Sequence, residues 1–235
     1  MEKFDIVIHP NIAERGVTDE NSCYYVPCMI KEEPGHDIYE MFNVTQQTCR
    51  MSTWLGFKFR FLPPHLINHL ISSLCRSYVV AEVVNSKQRE RKLAIFRGKA
   101  VVELQKTTKL RKLLLTTCPN LIQLQILEFG ENVTMQRGMY KYIADFVAEE
   151  INKIISTRYR MTNVYYEKRW ECGLTKPEFV TGSNAFSEEQ ITEYYCGTCA
   201  RTHKHIGEWS GVQGKTLIVS EAYIYEFPAQ LMATL

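Results

Sequence analysis

No apolar run in the 235-residue sequence approaches the roughly 18 to 20 residues that a membrane-crossing helix needs. The first ten residues carry Asp5 and His9 and lack the basic start and apolar stretch of a secretion signal. An excess of one charge is missing too. Lys and Arg total 28 against 26 Asp and Glu, and a net charge of +2 sets up no field that would draw nucleic acid or an anionic membrane. These absences predict a soluble, cytoplasmic chain. Catalytic signatures are also lacking. There is no G-x-x-x-x-G-K-[ST] loop to cradle phosphates and no G-x-S-x-G elbow to present a nucleophile. His65 and His69 lack the glutamate of an H-E-x-x-H helix and read as surface or boundary residues. The reading is of a protein that is not an enzyme, with no catalytic residue to assign.

What is present suffices for a large core. Hydrophobic residues make up 45% and charged residues 23%, the balance of an ordinary globular domain. Eight cysteines in a cytosolic chain suggest core thiols or metal ligands rather than disulfides. Cys28, Cys75 and Cys118 sit in apolar runs and are expected to be buried. Basic residues cluster at 87–92 and 106–112, where a solvated face is expected.

Periodicity then orders the chain. Residues 24–30 (YYVPCMI) predict a strand, with Pro27 at an edge or bulge. In 54–61 (WLGFKFRF), Leu55, Phe57, Phe59 and Phe61 alternate with Lys58 and Arg60, the pattern of a half-buried strand. Pro63 and Pro64 end it, and Leu66, Ile67, Leu70, Ile71 and Leu74 follow at helical spacing to about Tyr78. Strand candidates 92–96 and 100–104 flank Arg97-Gly98-Lys99, and 110–116 and 121–129 flank Cys118-Pro119-Asn120. In the last of these, Gln123 and Gln125 take the face opposite Ile122, Leu124 and Ile126. From 136 to about 159 a stripe including Met139, Ile143, Val147, Ile151 and Ile154 predicts the longest helix. Segments 163–172 and 217–227 read as further strands. The fold class is α+β, an antiparallel β-sheet with helices packed on one face, plus a Cys/His-containing C-terminal extension. The expected core includes Phe57, Phe59, Phe61, Leu66, Leu70, Ile122, Leu124 and Ile126.

The order YYVPCMI, then LGFKFRFLPPHLINHLISSL, then a hairpin-rich stretch ending in LIQLQILEFG, resembles the C-terminal half of a COR domain, over roughly residues 20–215. COR domains follow the Ras-like Roc GTPase in ROCO proteins. The strand, the Leu-Pro-Pro step and the helix bearing Leu66, Leu70 and Ile71 carry most of the likeness, and no Roc domain is present. The chain divides accordingly into a remnant of a preceding element (1–20), a COR-like α+β domain (21–160) and an extension packed on the same domain (161–235). The resemblance implies a scaffold that dimerises and relays the state of a neighbouring GTPase in signalling. Its partners are then proteins: a second copy of the chain and an adjacent Roc-type domain.

One constellation carries chemistry. Cys196-Gly197-Thr198-Cys199 is a C-x-x-C knuckle, followed by His203 and His205, with Cys172 upstream. Such a knuckle presents two thiolates to one ion, and Cys172 and His203 complete a four-ligand set suited to structural zinc. The same residues also fit a polar loop of reduced thiols. Two further functions stay open. A zinc-stabilised nucleic-acid binder needs both basic runs on one face, with aromatics such as Trp54, Tyr165, Trp170, Tyr195 and Trp209 as stacking platforms. Aromatics in strands are usually core residues or protein-interface anchors, and the protein interface is preferred over nucleic acid. A cysteine-dependent enzyme needs Cys196 or Cys199 in a pocket with a depressed pKa.

Overall fold

Apolar side chains build the two longest described strands, Arg111–Cys118 and Leu121–Phe129, and Pro119-Asn120 turns the chain between them. The computed structural model describes residues 25–34, 37–85, 90–105, 110–130, 134–161, 164–177, 180, 193–197, 199–204 and 207–210. The expected strand 217–227, the opening 1–20 and most of the loop after Pro177 lie outside the described residues. In chain order the elements are α1 (Ile38–Met41), β1 (Cys49–Met51), β2 (Trp54–Phe59), α2 (Leu66–Ser77), β3 (Val79–Val80), β4 (Glu82–Asn85), β5 (Glu90–Leu93), β6 (Ile95–Phe96) and β7 (Lys99–Glu103). Then come β8 (Arg111–Cys118), β9 (Leu121–Phe129), α3 (Lys141–Ile154), β10 (Tyr166–Glu171), β11 (Glu193–Cys196) and β12 (Arg201–Lys204).

Eight strands form one antiparallel sheet, ordered β10-β2-β9-β8-β7-β3, with β1 also on β9 and β6 on β7. The β8–β9 hairpin turns at Pro119-Asn120, where Asn120 takes the left-handed φ of 59°. The β6–β7 turn uses Gly98 at φ 66°, the conformation glycine adopts without steric cost. Both turns fall where the sequence places them. Helices α2 and α3 lie together on one face of the sheet, as an α+β fold of this kind requires. Leu66, Leu70 and Leu74 of α2 and Ile143, Val147 and Ile151 of α3 bury against Leu55, Phe57, Leu113, Leu115, Ile122 and Leu124. Each such side chain removed from water stabilises the fold by roughly 1.5–3 kcal/mol.

The opposite face is covered too. Ile38 and Tyr39 of α1, with Val44 and Val180, bury Trp54, Val101, Leu114 and Leu127. Gln123 and Gln125 are therefore buried, at 1% and 0% exposure. Their amides find fixed partners: Gln123 Nε2 donates to Val180 O at 3.1 Å, and Gln125 Nε2 to Gly173 O at 2.7 Å and Ser52 O at 3.2 Å. The Tyr39 hydroxyl donates to Gln125 Oε1.

Several expectations are corrected. In the expected strand 24–30, the described residues 25–30 contain a 3-10 turn at Pro27–Met29 instead, because proline pre-sets a helical φ and has no N–H for a ladder. Phe61 is 60% exposed, unlike the other seven residues of the expected core. Strand β2 stops at Phe59, where Phe59 N–H donates to Asn120 O and Leu62 N–H to the Asn120 side chain, so the chain turns outward before Phe61. Helix α3 starts at Lys141, later than its stripe suggests, and continues as a π turn over Ile155–Tyr159. Of the three expected buried thiols only Cys75 is buried; Cys118 is intermediate and Cys28 is exposed. Nor is the second basic run a solvated face where it is described. Arg111 pairs with the buried Glu128, and Lys112 with the buried Glu103 at 2.5 Å. Adjacent strand residues point to opposite faces, so these two cations do not share a surface. Trp54, Trp170 and Trp209 are core residues, at 1%, 6% and 3% exposure, one of the two roles expected of them and not stacking platforms.

Candidate metal centre

The site forms where the end of β10 meets the β11–β12 hairpin. Strand β10 pairs along β2 as the outer strand of the sheet, from Tyr166 opposite Phe59 to Glu171 opposite Trp54. The chain then turns sharply, with Thr175 N–H donating to Cys172 O at 3.0 Å. Gly173 makes that turn possible. A Cβ there would lie 2.1 Å from Ser52 O, a distance no side chain tolerates. Ser52 and Thr53 are the bulge between β1 and β2. Ser52 Oγ accepts from Ile126 N–H at 2.9 Å, and Ser52 N–H donates to Ile126 O at 3.0 Å, so the ladder is patched across the interruption. Cys172 is thereby held at 3% exposure against the rigid part of the sheet.

The hairpin supplies the other donors. Its register sets Cys196 opposite Arg201 and Tyr194 opposite His203. Cross-strand partners share a face, and so do alternate residues, so Tyr194, Cys196, Arg201 and His203 all project from one side. Cys199 lies in the turn, with its N–H donating to Cys196 Sγ at 3.4 Å. The donor atoms of Cys172, Cys196, Cys199 and His203 all lie within 4.8 Å of one another. Cys172 Sγ stands 3.6 Å from Cys199 Sγ and 3.6 Å from His203 Nε2. These are the four residues singled out by spacing, and the fold brings all of them together as a group that could hold a metal ion. His205 lies outside the described residues.

The surroundings favour neutral groups until an ion arrives. Burial pushes the Cys172 thiol up to about 12, and nearby Cys196 and Cys199 add to the shift. Cys199 is also raised, chiefly by burial. His203 is lowered, by burial first and then by the Arg201 guanidinium, which leaves its imidazole in the neutral form that ligates metals. A bound cation would reverse the cost at sulfur, since a coordinating thiol is deprotonated outright.

Spacing did not single out three neighbours. The Tyr194 hydroxyl hydrogen-bonds Cys172, and its ring lies 5.5 Å from the His203 ring. Strand alternation within Y-x-C and C-x-x-x-H is the signal that places it there. Glu208 and Trp209 anchor the chain just beyond the hairpin. Thr53 donates to Glu208 Oε1 from its N–H at 2.7 Å and from its hydroxyl at 2.8 Å, and Trp209 Nε1 donates to Thr53 O at 2.9 Å. Tyr140 N–H donates to Glu208 O, and the Tyr140 and Trp209 rings pack at 5.6 Å. The same bulge thus seats both Gly173 and the anchor. No helix among the described residues is long and apolar enough to cross a membrane. No protein-family model matches the chain, and no curated protein does either.

Proposed function

We propose that this chain is a non-catalytic interaction domain of the ROCO (Roc-COR) type, in which a structural zinc ion fastens the C-terminal hairpin to the sheet. One observation carries the zinc reading: three sulfurs and one imidazole nitrogen converge, all within 4.8 Å of one another. With Zn–S near 2.3 Å and Zn–N near 2.0–2.1 Å, a tetrahedral site has S···S edges of about 3.8 Å and S···N edges of about 3.6 Å. Cys172 Sγ lies 3.6 Å from Cys199 Sγ and 3.6 Å from His203 Nε2, close to one edge of each kind. Four protein ligands fill such a site and leave no vertex for substrate, which is how structural zinc sites differ from catalytic ones. The raised thiols of Cys172 and Cys199 also suit ligands better than a nucleophile, which needs a depressed pKa.

Support for the ROCO-type assignment is the order of strand, Leu-Pro-Pro step, helix and hairpins, which here becomes β2, α2 and β6–β9 around one core. In that role the domain acts in cytoplasmic signalling through protein partners, self-associating and relaying the state of an adjacent Roc-type GTPase. Tyr142, half exposed on α3, is a residue through which such self-association would act. Native mass spectrometry of the purified chain tests both parts. A dimer carrying one zinc per chain, reduced to zinc-bound monomer by Tyr142→Glu, is the expected result. A metal-free monomer would remove the proposal, and a dimer that survives Tyr142→Glu would move the contact off this face of α3.

A further inference from the structure

Strand β2 and helix α3 end at the same corner of the sheet. Phe59, the last residue of β2, pairs with Tyr166, the first of β10. The Tyr159 hydroxyl, in the π turn that follows α3, donates to Pro64 O, and its ring packs edge-on to the His69 ring at 6.3 Å. The chain leaving β2 and the chain leaving α3 therefore emerge side by side. Three large side chains project there: Phe61 at 60%, Met161 at 40% and Tyr165 at 63% exposure. Single exposed hydrophobic residues are ordinary, whereas a group of them marks a contact surface. Most charges around this group are positive. Arg60, Arg158 and Arg160 are exposed, and the sequence holds no Asp or Glu from 60 to 81 or from 151 to 166. Glu167, the next carboxylate along, pairs with Arg169 at 2.5 Å. Arg169 first, and then Lys58 and Arg60, hold its carboxyl below the usual range, so cations outnumber the one acid at this corner.

We propose that this corner is a docking surface for an anionic lipid bilayer, with Phe61 and Met161 entering the headgroup layer and the arginines set against acidic lipid headgroups. Apolar side chains among cations are what peripheral proteins place at a membrane surface. A bilayer accepts projecting side chains at any angle, whereas a protein partner has to supply a pocket for each. Nucleic acid would answer the arginines but offers no apolar layer to the aliphatic Met161. Tyr165 fits the same boundary, because its ring is apolar and its hydroxyl stays wet. The whole chain carries a net charge of only +2, so the attraction belongs to this corner. It acts within about one screening length, ~8 Å at physiological salt. Neither the zinc centre nor self-association through Tyr142 is needed for this contact.

The test is co-sedimentation of the full chain with phosphatidylcholine vesicles, made with and without phosphatidylserine. The expected result is binding to the phosphatidylserine vesicles alone, weakening steeply as salt is added. Phe61→Ser/Met161→Ser alters exposed side chains only and should weaken binding roughly ten-fold, through the apolar area it removes. Arg160→Gln should weaken it about five-fold, the factor for one cation near an anionic surface. Phe61→Trp should still bind. Its new indole starts exposed, unlike the buried Trp54, Trp170 and Trp209, so its emission should shift to the blue on the same vesicles. No sedimentation with either vesicle overturns the inference. So does binding that Phe61→Ser/Met161→Ser leaves unchanged, because the contact then lies elsewhere. Equal binding to both vesicles would remove the arginines from the contact. Salt-sensitive capture by a single-stranded oligonucleotide, without vesicle binding, would make the corner a nucleic-acid surface instead.

Discussion

At the scale of single residues, burial decides chemistry that composition leaves open. Cys49 and Cys75 show this away from the metal centre: burial raises both thiols from 9.0 to about 12. Below pH 9 the thiols are protonated in folded and unfolded chains alike, and they contribute no pH dependence. Between about 9 and 12 the unfolded chain loses these protons and the folded one keeps them, so stability falls as pH rises. The slope is about 1.4 kcal/mol per pH unit for each thiol. Urea midpoints at pH 8 and pH 10.5 should therefore differ. The variant Cys49→Ala/Cys75→Ala should be less stable at pH 8 yet lose less over that interval; parallel losses in both proteins would show that other groups set the slope. Gly173 is the second case. Its missing Cβ lets the chain pass Ser52 O, and Gly173→Ala should destabilise by about 1–3 kcal/mol through overpacking. Because the displaced turn holds Cys172, the same variant should bind zinc more weakly, and a competition titration with a chromophoric chelator would read this directly.

At the scale of elements, the two β-hairpin classes differ in what supports them. Strands β8 and β9 pair over eight positions at the centre of the sheet, covered on both faces. The β11–β12 hairpin pairs over four positions in a sheet of its own. A lone two-stranded ribbon is marginal in water. Chelation by EDTA should accordingly speed hydrogen exchange through residues 193–204 and leave β8 and β9 protected. If the hairpin amides exchange equally in both states, the metal is not what holds it. Gln125 couples the elements on the second face. Replacing it by Leu leaves the carbonyls of Ser52 and Gly173 and the Tyr39 hydroxyl without their amide partner. Each buried polar group so orphaned costs about 1–3 kcal/mol, and denaturant titration of Gln125→Leu should show a loss in that range or above.

At the scale of the whole molecule, two attachments of the C-terminal segment to the body, among the described residues, meet at one bulge. The Cys172 end of the centre is fixed by the β1–β2 bulge, and so is the Glu208-Trp209 anchor. Binding of an ion at one attachment should therefore be felt at the other. Trp209→Ala removes a 3%-exposed ring from the main core and should cost about 3–5 kcal/mol. It should also weaken zinc binding although Trp209 is no ligand, which calorimetric titration of the variant would detect; unchanged affinity would mean that the two attachments act independently.

Much of this architecture is legible in local pattern. Period-2 alternation in LIQLQILEF and the helical stripe of 136–159 depend only on neighbouring residues, as do the turn residues Gly98 and Asn120, so the antiparallel α+β layout follows from the sequence. So does the candidate ligand set. C-x-x-C and a histidine four residues on are spacings set by hairpin geometry, and Cys172 is an upstream cysteine that can supply the fourth ligand. Tertiary structure alone decided the rest. Whether Gln123 and Gln125 face water depends on what α1 and Val180 lay over them, and whether Phe61 is buried depends on Asn120 ending β2 two residues early. The bulge at Ser52-Thr53, which seats Gly173, Glu208 and Trp209, joins segments more than a hundred residues apart. Pairings of that range are fixed by how surfaces close on one another, and periodicity carries no record of them.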